Sequence, residues 1–546
     1  MIHNVIIKGK ALQMSTSYTR EELNSMSKEA LIEIILSMRD QLEDLNKNFT
    51  VLTEQLKVLT QHSFGRSTEK LQTEGQLSLA EIDGEIAIVF NEIEAVLDEE
   101  AEAEAEESAA RAPKRHKGQR EESLIGLPTE IIPHELSETE LIEKFGGKYK
   151  RLPDEIYKRI VFEPAKISVE EHHVAVYSGS DDKIVRAKRP KDLLRCSLVT
   201  PSLEAGILNG KYVNGMPLYR LEQEFSRHGL SVVNRQNMSN WTNQCCEKYL
   251  GVLYDHLHKK LYDYHVLHAD ETPVDVTKDG RPAGVKSYMW VYRTGRMYDK
   301  PIVIYDYQRT RKADHPREFL KDFTGVCVTD GYQVYHTLAK ERPDLKIAGC
   351  WYHARRRYSE ALKALPKKEQ NKSLAHKALL LIQAIDRTNQ SFDDLPPEER
   401  LSKRQSMVKP LVDAYFAWIH ENRSKVLNKS KTSNGFEYSL NQEEYLRTFL
   451  DDPYVPFDNN AAEQAIRPFC IGKKNWVLID TIRGAQNSAI AYSIAETAKA
   501  NKLKPYEYFK YLLEEIPKHL DDSDKSFLDD LLPWSEKLPD ECRKNK

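Results

Sequence analysis

Between residues 262 and 358 short apolar runs rich in β-branched and aromatic residues recur around helix-like spacers, and this alternation restricts the chain more than any other feature. YHVLHADETPVDV, SYMWVYRTG and PIVIYDYQ follow one another as three strand-like runs. HPREFLKDF then reads as a helix, before GVCVTDGYQVYHTLAK and LKIAGCWYHARRRYSEALKAL repeat a strand-to-helix pattern. The expectation is a mixed α/β sheet with three leading strands. Two of these runs end in an acid: Asp270 closes His265 to Ala269, and Asp330 closes Gly325 to Thr329. Strand geometry delivers each carboxylate to a strand end.

A third acid, Glu463, follows Asp458, Asn459 and Asn460 and opens the helix-like stretch AAEQAIRPF. Singly, such residues are ordinary turn formers or helix caps. If all three converged, their charges would repel unless cations sat between them. Hard oxygen ligands without a neighbouring thiolate suit two Mg2+ or Mn2+ ions rather than zinc. A metal pair about 3.5 to 4 Å apart suits phosphodiester chemistry.

At 546 residues the chain exceeds one hydrophobic core, and several structural units are expected. Residues Leu31, Ile35, Met38, Leu42, Leu45, Phe49, Leu52, Leu56 and Leu59 alternate steps of four and three, the period of a coiled-coil seam. A coiled-coil helix over 20–64, self-associating through 31–59, is preferred to a lone amphipathic helix, whose apolar stripe would be wider. Residues 65–128 read as a charged linker, acidic in DEEAEAEAEE and basic in RAPKRHKGQR. Residues 129–199 alternate apolar and charged runs, as in a small β-rich unit. In 200–255 two helices flank a turn at Gly229, with Leu221, Phe225, Leu230, Val233 and Trp241 facing inward. This is a helix-turn-helix-like candidate for DNA binding or a plain packing unit. The α/β core spans 256–360 and resumes at 451–485, separated by a helical, charged insertion over 361–450. Residues 486–546 form a short helical C-terminal domain. The fold class expected is therefore multidomain α+β.

The seven cysteines are scattered, without CxxC spacing, which fits a reducing compartment and neither a disulfide scaffold nor a zinc knuckle. No apolar run approaches the roughly 20 residues that cross a bilayer, and no signal-peptide pattern opens the chain. A soluble, cytoplasmic protein is expected. The net charge of −4 argues against a protein coated in positive charge, so any polyanion contact must come from local basic clusters.

Over most of its length the chain resembles the transposases of the insertion-sequence 66 family, in the DDE group. The matching text is KYVNGMPLYRLEQEFSRHGLSVVNRQNMSNW, HADETPVDV, VTDGYQVY, AGCWYHARRRY, DNNAAEQAIRPFCIGKKNW and ETAKANKLKPYEYFKYLLEEIP, with a leucine-seam start ending in FGRSTEK. The resemblance implies a ribonuclease H-like catalytic domain in which Asp270, Asp330 and Glu463 hold two magnesium ions. It implies hydrolysis at transposon ends followed by transfer of the freed 3'-hydroxyl into target DNA. It also implies a nucleoid-associated protein with DNA as partner, and element-encoded accessory proteins. His353, Arg355, Arg356, Asn460, Arg467, Lys473, Lys474 and Trp476 are the expected DNA-contacting or supporting residues. Each has a plainer structural reading: a local ion pair for the arginines, a core position for Trp476. Glu271 and Asp275 point to the face opposite Asp270 if the strand is regular. Related proteins carry a cysteine-rich zinc module after the coiled coil, whereas this chain has no cysteine before Cys196, so zinc is not expected. A nuclease or resolvase that cuts without joining, and a non-catalytic dimeric DNA-binding regulator, are the alternative readings.

Overall fold

A computed structural model of the chain describes Thr139 and residues 167–174, 176–178, 184–186, 191–282 and 284–544, with backbone alone for 176–178 and 184–186. The heptad seam at 31–59, the linker at 65–128 and most of the 129–199 unit lie outside the described residues. The chain divides into two compact units. Trp351–Asp451 belongs to one, and the described residues up to Cys350 and from Asp452 onward form the other.

The larger unit is α+β, as the alternation of strand and helix signals predicts. A short antiparallel hairpin pairs Val176–Ser178 with Ile184–Arg186. Four helices then precede the sheet: α1 (Pro201–Leu208), α2 (Leu218–Arg227), α3 (Arg235–Cys245) and α4 (Gly251–Leu261). Between α2 and α3 the chain reverses at Gly229, whose φ of 81° suits a residue without Cβ. Asn234 caps α3 by accepting from the amide of Asn237 at 2.9 Å. Leu221, Val233 and Trp241 are buried as their spacing predicts, while Phe225 and Leu230 are half-buried.

The sheet comprises β1 (Val266–Val274), β2 (Ser287–Thr294), β3 (Val303–Gln308), β4 (Gly325–Thr329) and β5 (Leu345–Gly349). Its spatial order is β3-β2-β1-β4-β5, antiparallel through the first three strands and parallel from β1 to β4 to β5. The first strand in sequence is thus the central one. Val266 to Ala269 are all buried, which a strand covered on both faces requires. β1 and β4 approach closely at Gly325, where an added Cβ would lie 2.3 Å from the carbonyl oxygen of His265.

After the sheet the longest helices of this unit are α9 (Asn460–Trp476), α10 (Ile482–Ala500) and α11 (Pro505–Glu515), numbered after the four helices of the other unit named below; shorter helices at Asp314–Phe319, Gln333–Glu341 and Phe527–Asp530 also belong to it. α9 lies on β1 and β2, and the Tyr305 hydroxyl of β3 donates to the carbonyl of Ala465 in α9. α10 covers the edge strand β3, which would otherwise expose unpaired backbone groups. Ser493 Oγ accepts from the amide of Tyr305 at 2.7 Å, and Thr497 Oγ1 both accepts from the amide of Val303 and donates to its carbonyl. On the opposite face Phe319 stacks between Tyr292, at 3.8 Å, and His258 of α4, at 3.9 Å.

The smaller unit is helical: α5 (Trp351–Ala364), α6 (Leu374–Gln390), α7 (Lys409–Asn422) and α8 (Lys431–Asn441) are its principal elements. Its core centres on Trp351, Tyr358, Tyr415, Phe416 and Phe436, with Tyr358, Tyr415 and Ser439 joined through their hydroxyls. Among the described residues no helix is long and apolar enough to cross a membrane.

Candidate active site

The carboxyl edge of the parallel strands is where an open α/β sheet leaves room for a ligand. Register brings two acids there. Val266 pairs with Val326 and His268 with Val328, so Asp270 lies two residues beyond the last pair on β1 and Asp330 directly follows the end of β4. Asp270 pairs with Val291 on its other side.

Contacts with α9 show which face this is. His268 and Thr272, two residues either side of Asp270, both touch it: His268 Nδ1 lies 2.9 Å from Asn459 Oδ1, and Cys470 Sγ lies 3.7 Å from Thr272 Oγ1. Asp270 therefore faces α9, whose first turn carries the buried Glu463. Asn459 sets the position of that turn. Fully buried, it donates from Nδ2 to the carbonyl of Ala269 at 3.0 Å, and its amide reaches Cys350 Sγ at 3.2 Å. Its own carbonyl accepts from the amides of Ala462 and Glu463. Because Asn459 Nδ2 is committed to Ala269, Oδ1 is the acceptor, and His268 serves as the Nδ1–H donor. Burial holds the His268 pKa down to about 3, so the ring stays neutral in that role.

Neighbouring charges act on Asp270. Burial first, then the negative charges of Glu271, Asp330 and Glu463, pushes the Asp270 carboxyl well above the usual carboxylate range. Asp270 Oδ1 accepts from the amide of Glu271 at 2.8 Å, and Asp330 Oδ1 from the amide of Tyr332 at 2.9 Å.

Glu271 does project to the other face, but it is not a surface acid. Its side chain is 1% exposed and paired with Arg311, whose Nε lies 2.7 Å from Oε1. Oε2 is buried without a hydrogen-bond partner. Burial and the charge of Asp330 raise its pKa to about 7, against the opposing effect of Arg311. The Arg311 guanidinium lies 3.8 Å from the Tyr332 ring, and the Tyr332 hydroxyl donates to the Arg311 carbonyl at 2.6 Å. A continuous chain of contacts thus links Glu271, Arg311, Tyr332 and Asp330. Arg311 is hydrogen-bonded to Glu271 and also feels the charge of Asp330. The carboxylates of Asp270, Asp330 and Glu463 are hard oxygen donors of the kind that suits divalent cations.

The other residues singled out in the sequence divide. Asn460 is buried beside Glu463, with its amide on Asp458 Oδ1 at 2.9 Å. Lys473 Nζ donates to the carbonyl of Pro273 at 2.5 Å, tying α9 to the end of β1. Arg467 and Lys474 are exposed on α9. Trp476 is half-buried, folded back over Gly472 and near Tyr492. His353, Arg355 and Arg356 lie on α5 in the helical unit. There Arg355 sits over the Tyr352 ring at 5.7 Å and Arg356 Nε lies 3.8 Å from Glu360. Asp275 is bound by Lys286 at 2.8 Å. His268 and Arg311 carried no sequence signal of their own, since each acquires its role from a partner distant along the chain.

Comparison with known proteins places this chain in a family. Residues 196–487 match the model of the Transposase IS66 family, residues 493–534 the IS66 C-terminal element, and residues 51–132 the model described as Transposase C of IS166 homeodomain. The chain belongs to the IS66 transposase family, and that membership supports a role as a transposase, an enzyme that processes DNA. Similar proteins include three uncharacterized proteins of Sinorhizobium fredii. They are y4qI, 29% identical over 90% of this chain and 89% of its own length; y4hP, 25% identical over 71% and 72%; and y4jD, 25% identical over 65% and 70%.

Proposed function

We propose that the chain is a DDE transposase whose larger unit contains a ribonuclease H-like catalytic domain, with Asp270, Asp330 and Glu463 as its catalytic acids. The observation that carries this reading is the placement of Asp270 on the face of β1 that receives α9, whose first turn holds the buried Glu463, with Asp330 directly after β4 at the same carboxyl edge of a sheet ordered β3-β2-β1-β4-β5. Two Mg2+ or Mn2+ ions held by these acids would neutralise the cluster and supply Lewis-acid polarisation of phosphate and water oxygens.

The chain's own residues have defined tasks. Asn459 and His268 hold the first turn of α9 against β1, which keeps Glu463 facing Asp270. Arg311 offsets Glu271, so that the face away from α9 does not add an unpaired charge. Exposed Arg467 and Lys474 meet DNA phosphates along α9, while Asn460 and Lys473 support the helix. His353, Arg355 and Arg356 contribute DNA contacts from α5, and Trp476 an aromatic surface.

In the reaction proposed, water attacks the phosphorus at the element end and the 3'-oxygen leaves as a hydroxyl. That hydroxyl then attacks a target phosphodiester and displaces the target's 3'-oxygen, without a covalent protein intermediate. Self-association through 31–59, α2–α3 as a DNA-binding unit and element-encoded accessory proteins belong to the same proposal, as does a cytoplasmic, nucleoid-associated location. No zinc site is invoked. Cleavage and joining of DNA carrying the flanking inverted repeats, compared between wild type and Asp270→Asn, tests it.

A further inference from the structure

α3 is amphipathic in an unusual way. Met238, Trp241, Thr242 and Cys245 are buried along one face, and Gln236, Ser239, Asn240 and Asn243 occupy the opposite one at helical spacing. That amide-bearing face borders a cleft of about 420 Å3, whose other walls include Lys211, Trp476 and Leu478. The volume is that of a site for one small organic group rather than for a duplex.

Its chemistry is specific. Asn243 Oδ1 is taken by Asn487 Nδ2 at 2.9 Å, and Asn240 Oδ1 accepts from Gln236 Nε2 at 3.3 Å. The Nδ2 donors of Asn240 and Asn243 have no protein acceptor among the described residues. Two other charged groups on the cleft are already paired, Arg483 with Glu247 and Asp480 with Lys278, whereas Lys211 forms no ion pair among the described residues and lies 4.9 Å from the Tyr212 ring. An aromatic ring, unpaired amides and one available ammonium group are the means by which proteins hold a single nucleobase and its phosphate.

The rim is apolar and strained. Val477 is 56% exposed and Leu478 48%, and Val477 ends α9 at φ 65°, a conformation a β-branched residue adopts at an energetic penalty. Trp476 is pressed onto Gly472, where an added Cβ would lie 2.1 Å from the indole. Exposed apolar side chains beside a base-sized cleft are the arrangement that separates stacked bases.

The geometry points to a nucleotide-binding cleft: an unpaired nucleotide of the bound DNA enters between α3 and the C-terminal end of α9, its base against Trp476 and the amides of Asn240 and Asn243, its phosphate at Lys211. This rests on the DNA transposase reading. α9 carries Glu463 in its first turn and Trp476 at its end, about 20 Å away at 1.5 Å per residue. The accommodated nucleotide therefore lies on the order of six base-pair steps from the acids.

The test is fluorescence anisotropy with the full chain and two labelled duplexes of one sequence, one fully paired and one holding a single 2-aminopurine opposite an abasic site. The wild type is expected to bind the second at least about tenfold more tightly, the scale of one base–aromatic stack, with quenched 2-aminopurine emission. Trp476→Ala should bring that ratio near one, and Asn240→Ala, at an exposed position with no packing role, should reduce it several-fold. Equal affinity of the wild type for both duplexes overturns this inference and leaves the transposase reading standing. A preference retained in both variants also overturns it. Absence of binding to either duplex overturns both.

Discussion

Asp270 on β1 and Asp330, one residue beyond the end of the neighbouring parallel strand β4, lie close enough for the charge of Asp330 to act on Asp270. Half-buried acids so placed repel, and desolvation with the charges of Glu271, Asp330 and Glu463 pushes the Asp270 carboxyl well above the ordinary carboxylate range. Asp270→Asn keeps the shape and removes one source of repulsion. Without divalent ions the variant should be more stable than wild type by on the order of 1 kcal/mol, a rise in melting temperature of a few degrees. Thermal unfolding in a chelator checks this, and a variant no more stable than wild type would contradict the charge cluster.

Ions bound to the folded state raise its stability by mass action. Millimolar Mg2+ or Mn2+ should therefore raise the melting temperature of the wild type, and chelation should reverse it. Asp270→Asn should lose most of that response. Equal shifts in the two proteins would place the ions elsewhere.

Asn459 links three parts of the site through His268, Ala269 and Cys350. Asn459→Ala leaves the His268 Nδ1–H and the Ala269 carbonyl without their partner in a dry interior. The expected loss is about 2 to 4 kcal/mol. Urea unfolding measures it, and a change under about 0.5 kcal/mol would show that the link carries no weight.

Glu204 offers a pH test away from the acids. It is completely buried on α1, accepts from Thr242 at 2.8 Å, and burial raises its pKa to about 8 from 4.5. The folded state thus binds the proton more tightly than the unfolded state. Its contribution is fully present below about pH 4.5 and is lost as pH rises through about 8. Glu204→Gln preserves an acceptor for Thr242 without the proton linkage. The variant should match the wild type near pH 5 and exceed it by a few kcal/mol at most near pH 8, in melting curves across that range. Parallel pH profiles would contradict the assignment.

Much of the sheet was legible because β-branched runs are strong local signals, and the acids at two strand ends were legible because a carboxylate there breaks an apolar pattern. The helix through Glu463 was announced by Asp458, Asn459 and Asn460. Less legible were contacts made across long stretches of chain. The bond from His268 to Asn459 joins a strand to a helix beyond the whole helical unit, and neither residue carries a local sign of it. Glu271 looked like an acid turned away from the site; only folding supplies Arg311 as its partner. Ser493 and Thr497 read as ordinary helix residues, yet they complete the hydrogen bonding of edge strand β3. Lys473, expected toward DNA, is held by the carbonyl of Pro273, a destination set by how α9 lies on β1.

The most direct test of the account is to incubate the protein with DNA carrying its flanking inverted repeats, in Mg2+ or Ca2+, and to map every strand break and junction. The wild type in Mg2+ should produce 3'-hydroxyl ends at the repeat boundaries and joined target products, while Asp270→Asn, Asp330→Asn and Glu463→Gln bind the DNA and yield neither. Cleavage at the wild-type level by Asp270→Asn in Mg2+ would contradict the assignment of the acids.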